Sequence, residues 1–417
     1  MIKKFIASIC LLSAIGTFAQ EGTASPYSFY GIGEVKFKGS NENRAMGSLS
    51  IFPDSTHVNL QNPAGFAGLK FTTFSLGGSF TTTKLVTNTD DGKAQRTTVD
   101  YMAIGLPLGK KFGAGFGLIA YSSVGYKIQS QDNINVETNN RYSGTGGVNK
   151  VFFSLGYKIN SNFSIGANAD YHFGEIETSS LESLDPIQFG TRELNRSEVS
   201  GLGFNTGLMY SQKLKEKMSV FASLTYTPES RLNFGNERNI ATVRISGSSD
   251  PTVVDQQDID VADTKVTLPS RFAFGAGVGE ERKWLVGAEM TFSQSGDLTN
   301  RFEDIDNATF ENATRISVGG YFIPDYDSFS SYFKRITFRA GLRHENTGLI
   351  LNGKSIEDTA ATFGLGFPIS GSLSNINVGI EYGKRGTKVA NLVEENYLNF
   401  TLSLSLNDKW FVKKKYY

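Results

Sequence analysis

The stretch Leu398-Asn399-Phe400-Thr401-Leu402-Ser403-Leu404-Ser405-Leu406 puts every apolar side chain at one parity and every polar one at the other. Successive side chains of a strand point to opposite faces, so this pattern predicts a strand with one apolar and one polar face. The same reading holds upstream. Ile376, Val378, Ile380 and Tyr382 oppose Asn377, Gly379, Glu381 and Gly383, and Trp284, Val286, Ala288, Met290 and Phe292 oppose Gly287, Glu289, Thr291 and Ser293. Phe163, Ile165, Ala167, Ala169, Tyr171 and Phe173 oppose Ser164, Gly166, Asn168, Asp170 and His172. About fourteen such segments follow one another, most of them about ten residues or longer, which suits tilted membrane-spanning strands better than the short strands of soluble sheets. They begin near positions 71, 97, 112, 144, 162, 197, 217, 262, 283, 311, 335, 356, 375 and 397.

The connections alternate in length. Positions 108–111, 160–162, 279–283 and 370–374 read as tight turns, whereas 131–142, 179–196, 236–261 and 295–311 read as long polar loops. Gly353 marks the one short connection on the long-loop side, and 324–333 the one long turn on the other. Short turns at one end and long loops at the other are the mark of an outer-membrane barrel. The fold class is therefore all-β, a 14-stranded antiparallel transmembrane β-barrel with an N-terminal hatch inside its lumen. It divides into a signal peptide at 1–19, the hatch at 20–70, the barrel at 71–407 and a periplasmic tail at 408–417.

The address agrees with that class. Met1-Ile2-Lys3-Lys4, an apolar run from Phe5 to Ile15, and Thr17-Phe18-Ala19 have the layout of an export signal cleaved after Ala19. The expected location is the cell outer membrane, reached through the barrel-assembly machinery and embedded in outer-membrane lipid. Cys10, the only cysteine, falls inside the signal, so disulfides and cysteine-metal sites are not expected. Past the signal there is no apolar run long enough for a spanning helix. A formal net charge of +0 offers no basic field for nucleic acid.

A lumen this wide needs a plug. Residues 20–70 lack alternation, precede the first strand, and carry Phe29, Tyr30, Ile32, Phe37, Met46, Leu49, Ile51 and Phe52, too apolar a set for a solvated tail. At Asn59-Leu60-Gln61-Asn62-Pro63-Ala64-Gly65-Phe66-Ala67-Gly68-Leu69, Pro63 fixes its own φ and turns Asn62 away from helix, while Gly65 and Gly68 permit tight bends. The phrases Tyr30-Gly31-Ile32-Gly33, Arg44-Ala45-Met46-Gly47 and 59–69, with Asn62-Pro63-Ala64 at its centre, resemble the N-terminal hatch of the FadL-type long-chain fatty acid transporters. Thr267-Leu268-Pro269-Ser270 and 283–288 are similar as well, and the likeness covers most of the mature chain. It implies a hatch carried by Gly31, Gly33, Arg44, Gly47, Asn62, Pro63 and Ala64, and apolar ligands that enter from outside and leave sideways or past that hatch.

The second and third segments depart from the polar-inside rule. Met102, Ile104, Leu106, Phe116, Leu118 and Ile119 are expected to form an inward apolar strip that holds an acyl chain, since apolar burial contributes about 25 cal/mol per Å². Packing against an apolar hatch explains the strip equally well. Gly113, Gly115 and Gly117 would allow a bend or an opening. His57, His172 and His344 share no ligand spacing, and no serine is singled out by a nucleophile-elbow phrase. No cofactor, metal or enzymatic activity is expected. Arg335, Arg339 and Arg343, with Arg271 and Arg315, are expected to meet Asp170, Glu289 and Glu381 in a bracing ion-pair network, the alternative being that one arginine binds a ligand carboxylate. Two functions remain open, besides a nonspecific diffusion pore. One is passive uptake of a hydrophobic small molecule such as a long-chain fatty acid. The other is a PorV-like accessory barrel docking with a large outer-membrane secretion or assembly complex.

Overall fold

The computed structural model describes residues 22–132, 138–184, 187–214, 217–245, 251–298 and 307–410. The expected signal at 1–19 and the basic end of the tail, 411–417, lie outside them. Fourteen spanning strands close into one antiparallel barrel. In chain order they are β1 (Thr72–Val86), β2 (Asp91–Leu108), β3 (Phe112–Asp132), β4 (Thr138–Lys158), β5 (Phe163–Leu184) and β6 (Phe189–Lys213). β7 joins Met218–Thr227 to Ser230–Arg244, and β8 comprises Thr252–Ile259, Thr264–Leu268 and Arg271–Glu280. β9 (Trp284–Ser293), β10 (Ala313–Phe322), β11 (Thr337–Leu351), β12 (Lys354–Pro368), β13 (Asn375–Gly386) and β14 (Glu394–Asp408) complete the wall. β14 returns to β1 and pairs along its whole length, from Glu394 opposite Val86 to Asp408 opposite Thr72.

Alternation sets the faces. In β14, Leu402 is 54% exposed and its neighbour Ser403 only 1%. An apolar side chain outward and a hydroxyl inward is the reverse of a soluble protein, and it is stable only where lipid covers the outer wall. The turns are tight where the sequence reads them so. Asn352 and Gly353 both have positive φ, the backbone that a two-residue hairpin between β11 and β12 requires.

Much of the sequence that reads as long polar loop is strand. β5 and β6 run on through 179–184 and 189–196, with Thr178 opposite Asn195 and Leu181 opposite Arg192. Above the membrane both faces of a sheet meet water, so the apolar parity that marks a strand disappears while its backbone ladder continues.

Residues 22–70 occupy the lumen. Their only regular pieces are the four-residue α-helix Asn41–Arg44, the 3-10 turns Pro26–Phe29 and Pro63–Gly68, and the two-residue strand Glu34–Val35. These short helices carry no apolar periodicity for the sequence to show, and two of them are set by a capping side chain. Ser40 accepts a hydrogen bond from the Asn43 N–H, and the Asn62 side chain accepts one from the Ala64 N–H at 3.0 Å. Asn62 is extended, φ −120° and ψ 110°, as Pro63 after it requires.

Candidate functional site

Inward-facing glycines seat the lumenal segment. A Cβ at Gly166 would stand 2.4 Å from the Ala64 nitrogen, one at Gly207 2.0 Å from Asn62 Oδ1, and one at Gly341 2.2 Å from the Gly47 nitrogen. Gly275, Gly277 and Gly287 give the same room to Ile51. The glycines of β3 act likewise: a Cβ at Gly113 would meet the Phe66 carbonyl oxygen at 1.9 Å and one at Gly115 the Phe66 ring at 2.0 Å. Gly113 and Gly115 thus admit Phe66, while Gly117 lies against the Met102 carbonyl of β2. Asn62 is fully buried and its amide donates to the carbonyls of Leu208 in β6 (3.2 Å) and Leu224 in β7 (3.4 Å). Pro63 and Ala64 lie against β4 and β5, where Gly156 and Gly166 leave space for their backbone. Gly31, Gly33 and Gly47 all have positive φ; Gly47 lies against Leu342 and donates to Thr362 Oγ1 at 3.0 Å. Arg44 pairs with Asp100 at 3.5 Å and lies over the Phe37 ring.

One seam of the wall is open. β2 and β3 pair from Leu108 opposite Phe112 up to Tyr101 opposite Ile119 and no further among the described residues, although β2 continues to Asp91 and β3 to Asp132. The lumenal segment bridges the split. On one edge Glu34 and Val35 pair with Ser123 and Ser122, and the Lys36 N–H donates to the Tyr121 carbonyl at 2.9 Å. On the other edge Arg96 Nε donates to the Thr23 carbonyl at 3.0 Å. Val35 is 52% exposed in this gap.

Behind the gap lies a cavity of about 410 Å³, on the long-loop side of the glycine-seated residues. Its walls are charged. Arg343 reaches Glu381 (2.8 Å), Glu345 (3.1 Å) and Asp358 (3.4 Å); Arg385 reaches Glu34 (2.8 Å), Asp358 (3.1 Å) and Glu395 (3.6 Å). Tyr397 donates to Asp358 at 2.7 Å. Across the lumen Lys150 pairs with Asp170 at 3.2 Å, and Arg315 meets Glu289 at 3.7 Å.

The predicted strip is divided by this geometry. Met102, Phe116 and Leu118 are exposed on the outer face, and Ile104 and Leu106 share that face through the pairs Ile104–Phe116 and Leu106–Ala114. These five belong to the lipid-facing band, not to a lumenal pocket. Ile119 alone turns inward, into a cluster with Phe66, Leu69, Val58 and Tyr101. Both parities of β2 are apolar here because one meets lipid and the other meets the lumenal segment, so hydropathy has no means of choosing the inner face.

The arginines fare better. Arg315, Arg339 and Arg343 face inward and are buried or nearly so, with Arg339 donating to Asn377 at 3.0 Å. Arg335 sits in the 3-10 turn Phe333–Arg335 over the Tyr332 ring, outside β11. Asp170 pairs with Lys150 rather than with an arginine. His172 packs edge-on against Tyr121, His57 bonds Asp54 at 2.9 Å, and His344 bonds Thr359 at an exposed position. Sequence reading missed Lys38, Lys150, Arg385, Glu34 and Asp358. The inward parity of Lys150, beside outward Val151, was available as a signal; Lys38 and Glu34 lie where no periodicity operates.

Crystal structures of similar shape are the toluene transporter TbuX of Ralstonia pickettii (TM-score 0.59, 15% identity, covering 89% of this chain and 99% of that one) and a FadL homologue of Pseudomonas aeruginosa (0.59, 14%, 90% and 99%). The toluene transporter TodX of Pseudomonas putida follows (0.56, 17%, 90% and 98%). No curated protein matches the chain by sequence. The architecture is thus that of the FadL-type outer-membrane barrels. Within that class the family profile of BamG matches residues 1–417, and the chain belongs to the BamG family.

Proposed function

We propose that this barrel passes small hydrophobic or amphipathic molecules between the outer face of the membrane and the lumen, with residues 22–70 serving as its hatch. The observation that carries the reading is the open seam between β2 and β3, which leads from the lipid-facing wall to the cavity and is bridged by Glu34–Val35, the Lys36–Tyr121 bond and the Arg96–Thr23 bond. Neighbours of the same shape are toluene transporters and a FadL homologue by name. A ligand moving along this route displaces edge hydrogen bonds and ion pairs, not the glycine-seated backbone. Uptake of radiolabelled fatty acids and toluene by a deletion strain tests it: slower entry that is restored by the intact gene supports it, and unchanged entry of every apolar compound removes it.

A second reading rests on the whole-length family match. The prefix of BamG is that of the barrel-assembly machinery, and a barrel whose lumen is filled by its own chain suits a docking subunit of an outer-membrane machine. Phe329 and Phe333, 105% and 77% exposed on the long turn before β11, and the two-sided sheets above the membrane would then be contact surfaces. Purification in mild detergent separates the two: a stoichiometric large partner favours docking, and a lone barrel favours passage.

A further inference from the structure

The charges lining the cavity do not balance on the wall that runs from β4 round to β10. Lys150 is matched by Asp170 and Arg315 by Glu289, while Glu345, the next acid in reach, is held by Arg343. Lys38 and Arg271 also line the cavity, and Lys38 feels the fields of Arg271, Lys150, Asp170 and Arg315, yet among the described residues neither Lys38 nor Arg271 has a carboxylate within ion-pair distance. Lys38 rests its ammonium 3.9 Å over the Tyr121 ring instead. On this side of the cavity, among the described residues, four basic side chains face two carboxylates, an excess of two positive charges once Lys38 is protonated. Unmatched charge away from bulk water is costly unless a counter-ion joins it.

An independent observation marks the same place. His172 is 3% exposed, lines the cavity, and has no hydrogen-bond partner at either ring nitrogen. Buried polar atoms are almost always satisfied, so a bare imidazole packed on Tyr121, the ring over which the unmatched Lys38 rests, marks the position of a polar ligand.

We propose that Lys38, Arg271 and His172 form a binding site for a compact dianion of the phosphate-monoester type. Two excess charges match a dianion better than a single carboxylate, and the fork of Arg271 can take two phosphate oxygens while Lys38 acts as a point charge. The imidazole of His172 supplies the neutral donor. Because the cavity wall continues to Val35, Arg96 and Thr98 at the open seam, a phosphate headgroup on an alkyl chain and free phosphate both have a route to it. Burial and the neighbouring cations hold Lys38 well below the usual lysine range, so binding should draw in a proton. The inference stands whether the barrel transports or docks.

The test uses the full-length mature protein in maltoside micelles, titrated calorimetrically with inorganic phosphate, dodecyl phosphate and dodecanoate in buffers of different ionisation enthalpy. Dodecyl phosphate should bind at least about tenfold tighter than dodecanoate, a gap of about 1.4 kcal/mol, and its heat should depend on the buffer. Tight binding of inorganic phosphate identifies a free ion as occupant, whereas binding of the alkyl form alone identifies a lipid headgroup. Lys38→Met with Arg271→Gln should lower phosphate affinity by about tenfold or more, while Lys283→Met at the opposite end should not. Equal affinity for phosphate and carboxylate amphiphiles, or no phosphate binding by either form, overturns the proposal without any variant. A folded double variant that binds as the native protein overturns it as well.

Discussion

The two halves of the lumenal segment are held by different physics. Residues 40–69 are seated where the wall has no side chains, with Asn62 tied to two strands and Met46, Leu49, Ile51 and Phe66 almost completely buried. Residues 22–38 bury Tyr27 and Ile32 against the wall but owe most of their polar ties to charge and edge hydrogen bonds: Glu34 on Arg385, Thr23 on Arg96, Ser25 on Glu395, Tyr27 on the Val393 carbonyl. Steric fit at close-packed density has no second arrangement nearby, whereas ion pairs and edge pairing are exchangeable with water, salt or a ligand. Rigidity therefore belongs to residues 40–69 and any motion to residues 22–38.

Arg385→Met is the severest challenge to that division. It leaves Glu34, Asp358 and Glu395 without their shared cation, a loss of about 3–5 kcal/mol for a broken buried pair. Limited proteolysis should cut within 22–38 while 40–69 stay protected; cleavage in both halves at once would show that they are one unit. Gly166→Val attacks the other half. Its side chain meets the backbone of Pro63 and Ala64, which no rotamer relieves, so destabilisation of about 1–3 kcal/mol is expected, read as a lower temperature for loss of the compact form on unboiled gels. An unchanged transition would mean that the segment is not seated there.

Asn62→Ala removes one cap and two anchoring bonds and should cost about 0.5–2 kcal/mol, with protection of 59–69 falling and the seam unaffected. The smallest effect is that of pH. Burial lowers the His57 pKa, but Asp54 and Glu42 outweigh it and raise the value above that of an ordinary histidine. Its stabilising contribution is whole below pH of about 6.5 and fades as pH rises through the raised value. Asp54 behaves oppositely: burial raises its pKa, but His57 and Thr56 bring it below the usual carboxylate range, so its contribution holds above pH of about 3.9 and is lost as pH falls. Protection of 54–57 should therefore decline on the alkaline side, and His57→Gln should flatten that limb. A native profile that is flat from pH 6 to pH 9 would refute the pairing.

Sequence pattern located strands and missed the details of the lumen for one reason. Periodicity reports the contrast between two environments, and it is sharp where one face meets lipid and the other a polar interior, as along Leu398–Leu406. Where both faces meet water, at 179–196, or where both are apolar, at Tyr101–Leu108, the contrast is gone. The first case hid strands inside expected loops. The second turned Met102, Ile104, Leu106, Phe116 and Leu118 toward a lumen that they do not face.

What the sequence by itself determined is the class of object, a fourteen-stranded wall with a non-alternating N-terminal stretch, because parity along a strand and the chemistry of caps and prolines are local properties. The tertiary structure alone decided which seam stays unzipped, which glycines receive the lumenal backbone, and which cations are left without an acid. Those are relations between residues hundreds of positions apart, such as Glu34 with Arg385 or Gly47 with Thr362, and no local pattern encodes them.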